Sequence, residues 1–332
     1  MLASLVDAPL QDPQLVYDPK DESIRVIADV PHRGHTRLAV AAASMPASRR
    51  ASLLAGLLVA AVPFSAGAQL PERRATPPHA IVELIAATES AAAGTDLWVG
   101  VRIQLERGWH IYWQNPGDSG SAPTFAWQVP EGVRASEVEW PAPSRIEVDT
   151  LINYGYEGEV VLPVPLRVAQ GVRAGQPITI GLGLKYLVCR DMCVSGRAAL
   201  ALVLPLTPAD VVDVARWKSS IDEARARVPK RAPASWKARA VSQPDVFVIT
   251  VETGARESTG VFFPLVVSQV NDSAPQQVRA LARGLEITLR KSDQLRTDPR
   301  ELKGVLALSP DRTYVITAAV QKAPPLQERE IR

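Results

Sequence analysis

The chain's only two cysteines, Cys189 and Cys193, stand in the stretch YLVCRDMCVSG with three residues between them. A sulfur pair at that distance supports three chemistries. A redox centre needs a thiolate, a second sulfur close enough to resolve a mixed disulfide, and room for a partner to approach. Arg190, between the sulfurs, favours a thiolate and Asp191 opposes it. A structural bridge is the second chemistry. The loop it would close is so short that its chain-entropy gain falls below the ~3 kcal/mol of a 15-residue loop. The third is a soft-metal clip, in which Cys189, Met192 and Cys193 suit Cu(I), with His110 as an added ligand. Zinc fits less well, because a structural zinc site takes four ligands. In GWHIYW, His110 is also a candidate base if it faces the sulfurs, or else a strand histidine hydrogen-bonded at a sheet edge. Tyr112 and Tyr154 read first as packing residues.

The compartment bears on these choices. Residues 45–68, MPASRRASLLAGLLVAAVPFSAGA, have the three parts of a secretory leader: Arg49 and Arg50, an apolar run from Leu53 to Phe64, and Ala66-Gly67-Ala68 before Gln69. The run is too short for a membrane-spanning helix of about 20 apolar residues. A leader starting at Met45 makes residues 1–44 a spurious or disordered extension, although they hold His32 and His35. The expectation is an exported, periplasmic chain. Near balance of charge, with 37 Lys and Arg against 35 Asp and Glu, argues against nucleic acid as a partner. An oxidising compartment permits a disulfide, yet two cysteines are too few for a disulfide scaffold.

The elements that must position the pair read as β throughout. AIVELIAAT, DLWVGVRIQLE, WHIYW, TFAWQVP, EVVLPVPLRV, PITIGLGLKYLVC and AALALVLPL are short alternating runs broken by Gly, Pro, Asn and Asp. They predict an antiparallel sandwich over 75–206. A helix is predicted over 208–228, capped by Thr207, with Pro208 in its first turn and Val214, Trp217, Ile221, Ala224 and Val228 at helical spacing. The helix and its linker occupy 207–233. A second β-rich block follows over 234–322 with neither cysteine nor histidine, and a tail over 323–332. The fold class is therefore all-β: two β-sandwiches joined by a helical linker.

The stretches GWHIYWQNPGDSGSAPTFAW, NYGYEGEVVLPV and YLVCRDMCVSG, in that order, resemble the N-terminal periplasmic domain of the DsbD family of thiol:disulfide interchange proteins. The ScsB branch, the suppressor-of-copper-sensitivity proteins, is more similar still. FFPLVVSQVNDSAPQ and LEITLRKSDQL resemble the second sandwich of that branch. The resemblance implies an immunoglobulin-like sandwich with Cys189 and Cys193 as its redox pair. It places His110 and Tyr112 beside the sulfurs, and residues 151–155, LINYG, as a loop capping them through Ile152, Asn153 or Tyr154. It also implies partners: periplasmic thioredoxin-like or other thiol proteins, and a membrane-embedded electron donor. The family's membrane domain is not found before Arg332, so the donor is expected to be a separate protein. No cofactor is expected.

The function read from these residues is a periplasmic thiol–disulfide exchange protein relaying reducing equivalents. One alternative is a copper-binding, copper-tolerance protein using Cys189, Met192 and Cys193. Another is a non-catalytic β-sandwich binding module with a structural disulfide. Trp98, Trp109, Trp113, Trp127 and Trp140 discriminate the last: an exposed coplanar row favours a binding module, a buried set favours redox chemistry.

Overall fold

The computed structural model describes residues 14–18, 23–27, 72–172, 175–208 and 213–323. The expected leader lies outside these residues. The chain divides into two units, Met1–Ser65 and Ala66–Arg332. In the first, strands Gln14–Asp18 and Ser23–Ile27 pair antiparallel within the stretch read as an extension. The second unit holds everything that positions the cysteines.

Its first sandwich is built from two sheets. One runs Ser144–Val148, Leu151–Glu157, His110–Gly117, Ile178–Cys189, Cys193–Leu204, with Thr124–Gln128 also paired to Ile178–Cys189. The other runs Arg74–Ala75, Ala80–Ala86, Asp96–Leu105, Glu159–Val168, Val133–Ala135. Alternation in sequence becomes alternation in space. Val82, Leu84, Val99, Val101, Ile103, Leu162 and Val164 meet Ile180, Leu182, Leu184, Val188 and Leu200 in one core. Each such side chain, fully buried, contributes roughly 1.5–3 kcal/mol, so the core rather than a bridge holds this domain together.

The helix is shorter than predicted, Lys218–Ala226, and its N-terminal residue Trp217 offers no side-chain cap. Thr207 instead lies in a two-residue strand, Leu206–Thr207, parallel to Ala91–Ala92. The apolar spacing still shows what the helix does. Ile221 and Ala224 pack with Ile85, Ala87 and Val161 on the outside of the second sheet. Gly100 leaves the room, since a Cβ there would lie 2.8 Å from Val161 and 3.3 Å from Ile221.

The second block differs from the expected pair of facing sheets. It is one continuous eight-stranded sheet, ordered Val261–Pro264, Glu301–Ser309, Arg312–Lys322, Lys237–Ser242, Val246–Glu252, Gly284–Arg290, Gln277–Leu281. Lys230–Arg231, read from sequence as linker, is its eighth strand, paired to Arg312–Lys322. The sheet folds over its own core, because Phe262, Leu302 and Leu306 from one end meet Phe247, Ile249, Leu285 and Ile287 from the other. Phe263 and Val305 leave that core and join the core of the first sandwich. The two blocks are thus packed together, not strung on a flexible spacer.

Candidate functional site

Ile178–Cys189 and Cys193–Leu204 form a long hairpin in perfect antiparallel register, and its last pair is Cys189 opposite Cys193. Three residues make the turn, closed by the Arg190 N–H donating to the Met192 carbonyl at 3.1 Å. The cysteines are joined, with Cα atoms 4.1 Å apart. Since the ladder already brings them together, the covalent bond constrains little that the hairpin does not. The two sulfurs live in different surroundings: Cys189 is 2 % exposed, whereas Cys193 is on the surface. Met192, at the tip, is 71 % exposed. Arg190 leans over Trp109, whose other neighbour is the stacked ring of His79 at 3.7 Å.

The His110–Gly117 strand meets the hairpin only at its end, pairing Ile111 with Val188 and His110 with Cys189. Directly paired residues share a face, so His110, and Tyr112 two residues on, stand on the sulfur side while Ile111 and Trp113 enter the core. On the neighbouring strand Glu157 pairs with His110. One line across four strands therefore reads Glu157, His110, Cys189, Cys193. The Tyr112 hydroxyl donates to Cys189 Sγ at 3.0 Å and lies 3.5 Å from Cys193 Sγ. Burial pushes the Tyr112 phenol above its usual value, with a Ser119 hydrogen bond pulling back, so the hydroxyl remains a donor. His110 sits edge-on to Tyr112, 2 % exposed, and its Nε2 is buried without a hydrogen-bond partner. Burial lowers its pKa, against the pull of Glu157, which keeps the imidazole neutral near pH 7.

The 151–155 segment is not a loop. Leu151–Glu157 is a strand paired on both edges, to Ser144–Val148 and to His110–Gly117. Its side chains are committed elsewhere: Ile152 to the core, Tyr154 through its hydroxyl to Asp272 Oδ1 at 2.8 Å, and Asn153 to the Ser119 hydroxyl at 2.9 Å. None has a described contact with a sulfur. What lies on Tyr112 is the turn after Gly117: a Cβ on Gly120, at φ +83°, would sit 2.1 Å from the Tyr112 ring. Sequence reading misses this cover. GDSGSAP announces a turn, but composition does not say what the turn lies on.

Among the described residues no group of three or more His, Cys, Asp or Glu side chains converges as a metal cage. Trp109 and Trp113 are buried, and Trp98, Trp127 and Trp140 are half-buried, so they form no exposed row. No helix among the described residues is long and apolar enough to cross a membrane.

Residues 81–205 match the family model described as "Thiol:disulfide interchange protein DsbD, N-terminal". Among solved structures, the N-terminal periplasmic domain of ScsB from Proteus mirabilis is similar at 20 % identity and a TM-score of 0.58, covering 75 % of this chain and 98 % of that one. That coverage extends beyond the 81–205 segment and supports the immunoglobulin-like fold. The periplasmic chaperone SfaE covers 73 % of this chain at 8 % identity, but its TM-score of 0.21 carries no argument. No curated protein sequence matches the chain.

Proposed function

We propose, from the premise that residues 81–205 form a DsbD N-terminal domain, that this protein relays reducing equivalents in the periplasm by thiol–disulfide exchange through Cys189 and Cys193. The observation that carries the reading is the asymmetry of the pair: a surface sulfur bonded to a buried one that accepts a hydrogen bond from Tyr112. In the dithiol form, the Cys193 thiolate attacks one sulfur of a partner disulfide, and the other partner sulfur leaves and takes a proton. Cys189, deprotonated, then attacks Cys193 Sγ and releases the second partner thiol. Two electrons and two protons pass to the partner, and the Cys189–Cys193 disulfide is left. A dithiol donor runs the same steps backwards, with Cys189 leaving as a thiolate. The Tyr112 hydroxyl stabilises that thiolate, since hydrogen bonds to ionised groups are the stronger kind. His110, neutral and lacking a partner at Nε2, is placed to take the Cys189 proton. Thioredoxin-like thiol proteins are the acceptors in this reading, and a separate membrane-embedded protein is the donor.

Equilibration in glutathione buffers, read by thiol alkylation, tests it. The expected result is a reversible two-electron transition with both forms folded. A first sandwich that unfolds on reduction would assign the bridge a structural role. Copper binding through Cys189, Met192 and Cys193 requires the disulfide to be reduced first, so repeating the titration with Cu(I) separates that reading from exchange.

A further inference from the structure

The second sheet sends one loop against the turn that covers Tyr112. Asp118, at the start of that turn, accepts hydrogen bonds on Oδ2 from the Ile152 N–H at 2.8 Å and from the Ser273 hydroxyl. Ser273 Oγ is also 3.0 Å from the Thr150 carbonyl. One residue away, Asp272 is buried, receives the Tyr154 hydroxyl, and offers its carbonyl to Arg145 at 3.0 Å. The other end of the same strand-to-turn passage is held too. Asn115, fully buried, accepts the Gly117 N–H and donates to the Pro264 carbonyl of the second sheet at 2.8 Å. Gly117 itself admits no side chain, because a Cβ would lie 2.4 Å from the Ile152 carbonyl oxygen. The turn is therefore pinned before and after Gly117 by groups of the second sheet, and its Gly120 rests on the ring whose hydroxyl touches both sulfurs.

We propose that the second sheet is a positioning element for the cysteine pair: Ser273, supported by Asp272, latches the 118–120 turn onto Tyr112 and so keeps Tyr112 on Cys189. This inference rests on the redox reading above and assigns the second sheet a role in it. Ser273 touches neither sulfur, so it acts through Asp118, Gly120 and Tyr112.

The test uses the full chain in its reduced form, with iodoacetamide alkylation of each cysteine followed separately. In Ser273→Ala the carboxylate of Asp118 loses a donor and the turn opens more often. Cys189 should then be alkylated about threefold to tenfold faster, the range set by losing one charge-assisted hydrogen bond. Cys193, already on the surface, should change by less than about twofold on the same scale. Ser273→Thr, which keeps the hydroxyl, should restore the slow Cys189 rate. Gly120→Ala should reproduce the fast rate with the second sheet untouched, since its Cβ cannot coexist with the ring. An unchanged Cys189 rate in Ser273→Ala, or equal acceleration of both cysteines, overturns the proposal. A wild-type pair that does not re-form after reduction overturns the redox reading instead, and the two failures are distinct.

Discussion

Tyr112 is where residue-scale chemistry concentrates. Its hydroxyl is the only side-chain donor described on Cys189, and burial keeps it protonated. Tyr112→Phe removes that donor while leaving the ring under Gly120. The Cys189 thiol pKa in the reduced protein should rise by about one unit or more, as expected for a hydrogen bond to an ionised group. The reduction potential should fall by about 30 mV, because the dithiol form loses the stabilisation. Ultraviolet absorbance of the thiolate against pH, together with a glutathione titration, reads both; an unshifted Cys189 would detach Tyr112 from the chemistry. His110→Ala separates base assistance from shielding. Loss of a proton acceptor slows exchange with a small disulfide at pH 7, whereas loss of a screen speeds it. We expect slowing, since Nε2 is unpartnered and the imidazole neutral.

At the scale of elements, the hairpin Ile178–Cys189 with Cys193–Leu204 carries the pair on a twelve-rung ladder. That is why reduction should be tolerated. Melting temperatures of the oxidised and reduced protein should differ by a few degrees, given that ~1 kcal/mol shifts a chain of this size by about 2–4 °C. A drop far beyond that, followed by circular dichroism, would mean that the disulfide holds the hairpin. The hairpin and its sulfurs are legible in sequence, because alternation and the turn are local. The Leu151–Glu157 strand is not. LINYG reads as a loop from its resemblance, yet pairing on both edges makes it a strand, and only long-range registers decide that. The helix shows the same limit: its apolar spacing marks the packed face, but its first turn is set by Thr207 being drawn into a strand beside Ala91–Ala92.

On the scale of the molecule, the contact between the two blocks contains an acid that titrates unusually. Burial first, and the neighbouring Asp118 carboxylate, push Asp272 up to about 6, against the Tyr154 hydrogen bond and Arg145. Folded protein therefore holds a proton that the unfolded chain releases near pH 4, so this group's contribution to stability falls as pH rises from about 4 to about 6, then levels. His110 works in the opposite sense. Its lowered pKa means the unfolded chain protonates first, and stability is lost as pH drops below about 6.5. Asp272→Asn keeps an oxygen for Tyr154 but removes the titration. Its melting temperature at pH 7 should match or exceed wild type, and the difference should shrink toward pH 4. A difference that stays constant with pH would remove Asp272 from the linkage.

The amino-acid sequence by itself determined the all-β class, the cysteine pair at a hairpin tip, and the face shared by His110 and Tyr112, because strand periodicity and short-range spacing are local properties. Tertiary structure alone decided which sulfur is buried, that Gly120 rather than Asn153 lies on Tyr112, and that Phe263 and Ser273 of the second sheet reach the first. Those facts depend on pairs more than a hundred residues apart, such as Ser273 with Asp118 and Asn115 with Pro264. No local pattern encodes such pairs; they exist only once two cores have closed against each other.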